Sequence, residues 1–142
     1  EVGYNYRMSN VQAAIGCAQL ESLDQRISKK RILHSMYAEQ LKEIEDLEIH
    51  QPSNVTKSNL WLMILKINNS SIDPLNIMNR LKEEKIETRP IWQLNHLQNP
   101  YKDCQNFRIE NSYNLLNTSL CIPSTVDMSE EDVTRVVEAL SE

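Results

Sequence analysis

Glycine is almost absent from this chain, whose 142 residues include only Gly3 and Gly16, both near the start. Turns that bind a phosphate on successive backbone amides depend on glycine, because glycine adopts positive φ and lets the backbone approach a ligand closely. The glycine-rich loops of nucleotide-binding folds therefore cannot be built from this sequence. If the protein binds phosphate groups, it does so with side chains or with another segment.

Composition predicts one soluble domain with a single core, since the chain is 40% hydrophobic and 25% charged. The net charge is -5 with no basic stripe, which argues against a nucleic-acid partner. The longest apolar run is far shorter than the roughly 20 residues that span a bilayer, which argues against a membrane protein. The three cysteines are an odd number and include no C-x-x-C pair, which argues against a disulfide framework or a zinc site and favours the cytoplasm. We expect Cys17 and Cys121 to be buried as small hydrophobic side chains.

Helical periodicity dominates the first third of the chain. Ser9 and Gln12 have the spacing of a capping box, and apolar residues then recur at helical spacing to about Ile44. That length predicts a bend near residues 23–24. The small residues 13–18 indicate a helix that packs closely against another helix or subunit, or else simple core packing.

The remaining elements are predicted as short strands alternating with helices. Strands are expected at 47–50, 60–67, 86–89 (ended by Pro90) and 120–123. Asp73 and Pro74 begin one helix, residues 109–116 look helical, and Ser129 caps the last helix. Residues 91–107 form a long polar loop. The fold class predicted is α+β, with helices packed on a small, mainly antiparallel sheet and a long N-terminal helix.

A few polar side chains could bind an anionic ligand. Asn5 precedes a helix N-terminus, and Arg7 offers a planar fork suited to phosphate or carboxylate. Arg89 follows a predicted strand, and His96 lies in the long loop. The alternatives are a structured turn with a surface ion pair for the first two, and surface pairing for the others. No Ser-His-Asp set, Cys-His set or pair of carboxylates at a convincing spacing is found.

Three segments resemble one family in the right order. Residues 3–24 (GYNYRMSNVQAAIGCAQLESLD) closely resemble the segment that opens the C-terminal part of DegT/DnrJ/EryC1/StrS sugar aminotransferases. Residues 86–92 (IETRPIW), with His96 to Gln98 and Tyr101, resemble the late strand and substrate loop of that family. Residues 120–124 (LCIPS) and 129–133 (SEEDV) resemble its closing strand and terminal helix. The resemblance spans essentially the whole chain.

The resemblance implies the small C-terminal domain of a fold-type I enzyme that depends on pyridoxal 5'-phosphate (PLP). Such an enzyme moves an amino group from glutamate to a nucleotide-linked keto sugar, in the synthesis of surface polysaccharides, glycans or antibiotic sugars. It is expected to be a cytoplasmic homodimer with a shared active site. Residues 1–142 are then one domain of a larger protein whose large domain carries the PLP lysine.

Site residues follow from the same resemblance. Asn5 is expected to contact the cofactor phosphate of the neighbouring subunit, and Arg7 to contact phosphate or substrate. Arg89, Trp92 and His96 match positions that border the substrate pocket. No catalytic residue and no metal ligand is expected within this chain.

No lysine here has the setting that a Schiff base requires, so the isolated chain is expected to bind PLP poorly and to be inactive. Two alternatives stay open. One is a non-catalytic binding or oligomerisation module with the same fold. The other is a PLP-dependent sugar dehydratase, in which histidine replaces the lysine.

Overall fold

The computed structural model describes Tyr4 and residues 6–141. Helices pack on a small antiparallel sheet, as the alternation of strands and helices predicts. The helices are α1 (Asn10–Glu21), α2 (Leu23–Gln40), α3 (Pro74–Glu83), α4 (Glu110–Thr118) and α5 (Glu130–Ser141), with 3-10 turns at Leu41–Glu43 and Asn95–Leu97. The strands are β1 (Leu47–Ile49), β2 (Met63–Ile67), β3 (Arg89–Pro90) and β4 (Ser119–Ile122).

The sheet has the order β1-β2-β4-β3, and every neighbouring pair is antiparallel. Side chains alternate between its two faces along each strand. One face carries the apolar core residues of the strands and packs against helices α2, α3 and α5. The residues of this face are Leu47, Ile49, Met63, Leu65, Ile67, Leu120 and Ile122.

The predicted helix starts are confirmed by their hydrogen bonds. The Ser9 hydroxyl accepts from the Gln12 amide at 3.3 Å, and the Gln12 side chain accepts from the Ser9 amide at 2.9 Å. Asp73 accepts from the Leu75 amide at 2.9 Å, with Pro74 in the first turn of α3. The predicted bend is the break at Ser22 between α1 and α2. These local signals therefore fix where the helices begin.

Helix α1 contributes no buried residue to this domain. Val11, Ile15 and Leu20 are exposed on it, so the small-residue helix does not take part in the core of the described residues. The prediction for Cys17 is wrong, because it lies on α1 and is exposed, whereas Cys121 in β4 is buried as expected. The periodicity of α1 gives no indication of whether its apolar residues meet a core within the same domain.

Two predicted strands have different bounds in the structure. The strand predicted at 60–67 begins only at Met63, because Leu60 has a left-handed backbone (φ 52) that interrupts an extended segment. The strand predicted at 86–89 is reduced to Arg89–Pro90, since the Ile86 amide already bonds to the Leu81 carbonyl at 2.8 Å. Pro90 belongs to this strand instead of ending it. An edge strand tolerates proline because the missing N–H can face away from the sheet.

Helix α3 ends in a Schellman motif built without glycine. The Ile86 amide bonds to the Leu81 carbonyl at 2.8 Å, and the Lys85 amide bonds to the Lys82 carbonyl at 3.0 Å. Lys85 therefore occupies the left-handed position (φ 58), where most proteins place glycine. The buried side chains of Leu81 and Ile86 complete the motif.

We expect Lys85→Gly to raise the free energy of unfolding by about 0.5–1 kcal/mol. The gain from relieving the left-handed strain exceeds the entropy that glycine adds to the unfolded chain. Urea unfolding followed by circular dichroism would measure it. Lys85→Ala keeps the Cβ and serves as the control, with little change expected; a glycine variant less stable than the alanine variant would contradict the assignment.

Helices α3 and α5 are joined by two arginines, each of which bonds to the C-terminal end of the other helix. Arg80 on α3 donates from Nη2 to the Leu140 carbonyl at 3.0 Å, and Arg135 on α5 donates from Nη2 to the Glu84 carbonyl at 2.5 Å. Carbonyls in the last turn of a helix have no partner within the helix, so these guanidinium groups supply the missing donors. The two helices are thereby held together over the sheet.

Candidate functional site

Arg89 lies on the sheet face opposite the helix layer. It pairs directly with Cys121 across β3 and β4, whereas the neighbouring pair Pro90 and Leu120 belongs to the helix-covered face. Its guanidinium is exposed and bonds to Glu87 Oε1 through Nη2 at 2.7 Å and Nε at 3.1 Å. The hydrogen bond and the charge of Glu87 raise the pKa of Arg89. An exposed ion pair of this kind costs little to open, so Arg89 can exchange Glu87 for an anionic ligand.

Trp92, two residues beyond β3, contacts Trp61, which precedes β2. Their ring centroids are 5.1 Å apart and the planes meet at 79°, an edge-to-face arrangement. Both side chains nevertheless stay exposed, Trp61 at 59% and Trp92 at 65%. The structure thus joins the predicted substrate loop to the segment that leads into β2.

The backbone of Trp61 is held by three side chains. Lys30 Nζ donates to its carbonyl at 3.0 Å, the Ser124 hydroxyl donates to the same oxygen at 3.4 Å, and its amide donates to Asn59 Oδ1 at 3.2 Å. Lys30 also donates to the Ser124 carbonyl. Burial lowers the pKa of Lys30, so desolvation of this ammonium works against the contacts that it makes. Trp61 is therefore an exposed aromatic side chain on a firmly fixed backbone.

Two further side chains of helix α2 make hydrogen bonds to backbone carbonyls next to the strands. The hydroxyl of the fully buried Tyr37 donates to the Pro123 carbonyl at 3.0 Å. His34 Nε2 lies 3.1 Å from the His50 carbonyl oxygen, next to β1. The segment after β4 is thus tied to α2 at both Pro123 and Ser124.

His96 lies in the 3-10 turn Asn95–Leu97 of the long loop. Its Nε2 is 2.9 Å from the hydroxyl of Tyr113 on α4, and the two rings meet edge to face at 5.4 Å. His96 is half-buried, and Tyr113 is exposed. This contact orients the imidazole, so His96 can donate or accept one hydrogen bond at a defined position.

The other two predicted site residues lie in the opening segment. Arg7 is exposed ahead of α1. Asn5 lies outside the described residues. Nothing in the structure tests the roles predicted for Asn5, Arg7, Arg89, Trp92 and His96, which stay predictions.

An open pocket of about 550 Å³ lies beside Arg89, between β3, the end of β4 and the start of α5. Several of the charged groups around it already have partners within the fold. Asp132 accepts from the Ser129 amide at 2.8 Å, which lowers the pKa of the Asp132 carboxyl, and Arg135 is bound to the Glu84 carbonyl. Burial raises the pKa of Cys121 at its floor, which disfavours the nucleophilic thiolate. We assign no catalytic group to this pocket.

The described residues contain neither a metal-binding cluster nor a membrane-spanning helix. No group of histidine, cysteine, aspartate or glutamate side chains among them is arranged to hold a metal ion. Nor does any helix in that part of the chain have the length and apolarity needed to cross a membrane.

Comparison with known proteins identifies the family. The model of the DegT/DnrJ/EryC1/StrS aminotransferase family matches residues 1–141. The chain belongs to this family. Bacillus subtilis EpsN, named as a pyridoxal phosphate-dependent aminotransferase, is 35% identical over 99% of the chain. GDP-perosamine synthase of Escherichia coli O157:H7 is 30% identical, also over 99% of the chain. The chain spans 37% and 38% of the lengths of these two relatives.

Solved structures of the family confirm the fold. The crystal structure of DesI with its TDP-sugar product superposes with a TM-score of 0.86, at 24% sequence identity. The match covers 98% of this chain and 36% of the DesI chain. The predicted α+β fold of a DegT/DnrJ/EryC1/StrS aminotransferase is therefore confirmed.

Enzymes of this family depend on PLP, and the lysines of the described residues do not fit the Schiff-base position. Lys30 is bound to two backbone carbonyls, and Lys29 is paired with Asp127. The others are paired with a carboxylate or exposed; they are Lys42, Lys57, Lys66, Lys82, Lys85 and Lys102. Arg7, Arg89 and His96 carry N–H donors of the kind that bind anionic oxygen atoms, and their contact with a PLP site stays a prediction.

The structure adds three residues to those predicted for the site. Trp61, Tyr113 and Lys30 contact or position the predicted residues, and none of them was singled out from the sequence. The sequence pattern assigns Trp61 to the strand predicted at 60–67 and Lys30 to the helical first third of the chain. Only tertiary contacts between distant segments reveal their roles, so the sequence contains no local signal for them.

Proposed function

We propose that this chain is the small C-terminal domain of a PLP-dependent aminotransferase that moves an amino group from glutamate to a nucleotide-linked keto sugar. The observation that carries the proposal is the family match over residues 1–141, together with relatives such as GDP-perosamine synthase. The whole enzyme is proposed to be a cytoplasmic homodimer that shares its active sites. Its product would enter polysaccharide, glycan or antibiotic-sugar synthesis.

The chain's own residues would bind and orient the reactants. PLP, when bound, supplies the electron sink on which amino transfer depends. Asn5 and Arg7 would hold anionic oxygen atoms of the cofactor phosphate or substrate, because an amide and a guanidinium donate well to such oxygens. Arg89 would exchange Glu87 for a carboxylate or phosphate of the substrate.

His96 would contact the sugar or the amino donor from the opposite end of the same loop. Its Nε2 lies within hydrogen-bond distance of Tyr113 Oη. Either side chain could therefore form a hydrogen bond to a hydroxyl group of the ligand without a large rearrangement. The chain alone is proposed to be inactive, because the lysines of the described residues lack the required setting.

The test is an activity assay on the full-length enzyme and on the 142-residue chain. With a nucleotide-linked keto sugar and glutamate, the full-length protein should form 2-oxoglutarate, and the chain alone should not. Loss of water from the sugar without consumption of glutamate would instead show a dehydratase. Activity of the isolated chain would contradict the proposal.

We expect Asn5→Ala to weaken retention of PLP by the full-length enzyme. One charge-assisted hydrogen bond is worth on the order of 1.5–3 kcal/mol, which corresponds to roughly ten- to a hundred-fold in the dissociation constant. Dialysis followed by measurement of bound PLP gives the answer. Asn10→Ala, at the start of α1, is the matched control; equal retention by both variants and the wild type would exclude the phosphate role.

A further inference from the structure

Trp61 and Trp92 form an exposed aromatic pair that the fold alone does not require. Each keeps more than half of its surface exposed, and neither belongs to the hydrophobic core. Burying such large side chains would be favourable, so exposure of two in contact indicates a surface that receives something else. In their edge-to-face contact, the edge of one ring packs against one face of the other. The remaining ring faces are not covered by this contact and can stack on a ligand.

The fixed backbone of Trp61 is the second observation. Leu60, just before it, has a left-handed backbone (φ 52), a conformation that costs energy for a residue with a branched side chain. Lys30, Ser124 and Asn59 all hold the main chain of Trp61. A half-buried cation and a strained residue thus position a side chain that is itself 59% exposed. Such preorganisation lowers the entropy cost of ordering the site when a ligand binds.

From these contacts we infer that the Trp61–Trp92 pair is the stacking site for the base of the nucleotide-sugar. The inference rests on the proposed function, and it adds the recognised group and a residue, Trp61, that sequence comparison did not single out. A purine or pyrimidine offers a flat π face that stacks on an indole. Stacking accepts any base, so this contact supplies affinity without choosing between nucleotides.

The contact is distinct from those of the charged residues. Arg89, three residues before Trp92 on the opposite face of the sheet from the helix layer, suits the charged part of the ligand. One short run of chain, from Arg89 to Trp92, would then bind a phosphate or carboxylate at one end and a base at the other. Different residues of this run would therefore bind different chemical groups of the same ligand.

The 142-residue chain contains only two tryptophans, so its two indole N–H signals in a ¹H–¹⁵N NMR spectrum report on this pair alone. We expect GDP, UDP and dTDP at millimolar concentrations to shift both signals. Ribose 5-phosphate and inorganic phosphate, which lack a base, should leave them unchanged. Absence of a shift with the nucleotides, or an equal shift with ribose 5-phosphate, would overturn the inference.

Kinetics of the full-length enzyme provide the second measurement. Trp61→Ala should raise KM for the nucleotide-sugar by roughly five- to a hundred-fold, with little change in kcat or in bound PLP, and Trp61→Phe should retain most of the affinity. Val55→Ala, which alters another exposed apolar residue between β1 and β2, is the control. Unchanged KM in Trp61→Ala, or a loss of subunit assembly without a change in KM, would refute base stacking. An enzyme with no transferase activity whose indole signals still respond to nucleotides would contradict the proposed function and leave base stacking supported.

Discussion

Tyr37→Ala is expected to lower the free energy of unfolding by about 3–5 kcal/mol, the range for loss of a large buried aromatic side chain. Tyr37 has no exposed surface and packs within the core between α2 and the sheet. The substitution leaves a cavity and also leaves the Pro123 carbonyl without its donor. Small domains are stable by only about 5–15 kcal/mol, so the variant should lose much of its cooperative unfolding transition. Urea unfolding measured by circular dichroism provides the test.

Tyr37→Phe separates the hydrogen bond from the packing. It keeps the ring, and it should lower the free energy of unfolding by about 1–3 kcal/mol because a half-buried carbonyl loses its partner. Burial, and secondarily the charge of Asp132, raise the pKa of Tyr37, so only the unfolded chain ionises this hydroxyl near its ordinary pKa. Stability should therefore fall as the pH rises above about 10, and less so in Tyr37→Phe. Tyr101→Ala, at a half-exposed tyrosine, is the control; a similar loss in it and in Tyr37→Ala would contradict this account.

Lys30→Met is expected to lower the free energy of unfolding by about 2–3 kcal/mol, because two carbonyls lose a charged donor. Removing the desolvation penalty of the ammonium offsets part of this loss. The carbonyls belong to Trp61, in the candidate site, and to Ser124, which contacts it. We therefore expect the indole signal of Trp61 to move or broaden in the NMR spectrum, together with a lower unfolding midpoint. Methionine keeps the length and packing of the side chain, so the change isolates the ammonium.

Lys29→Met is the matched control from the adjacent position. Lys29 pairs with Asp127 at 3.6 Å, and both side chains are largely solvated, so its loss should cost less than about 1 kcal/mol. If the two methionine variants lose equal stability and leave Trp61 unaltered, Lys30 does not hold the site in place.

Much of the fold could be predicted because its signals are local. The Ser9–Gln12 box, the Asp73-Pro74 pair and the break near Leu23 each depend on residues within one or two turns. The order of helices and strands followed, and with it the α+β class. Burial of Cys17 was mispredicted, because helical spacing shows which residues share a side of a helix and not what that side meets.

The candidate site could be predicted only in part. Arg89, Trp92 and His96 lie within eight consecutive residues, so one resembling segment indicated all three. Their partners come from elsewhere: Trp61 is 31 residues from Trp92, and Tyr113 is 17 residues from His96. Lys30 reaches residue 124 across the fold. Such contacts depend on how strands pair and helices dock, which no local pattern specifies.

Both outer strands of the sheet are very short. Strand β1 has three residues, and β3 has two, one of them a proline that lacks an N–H. A neighbouring molecule therefore finds almost no unpaired backbone along which to add a strand of its own, a property that protects against edge-to-edge aggregation. Association through this domain must instead use helix and loop side chains, so partner choice is open to tuning by single substitutions at those surfaces.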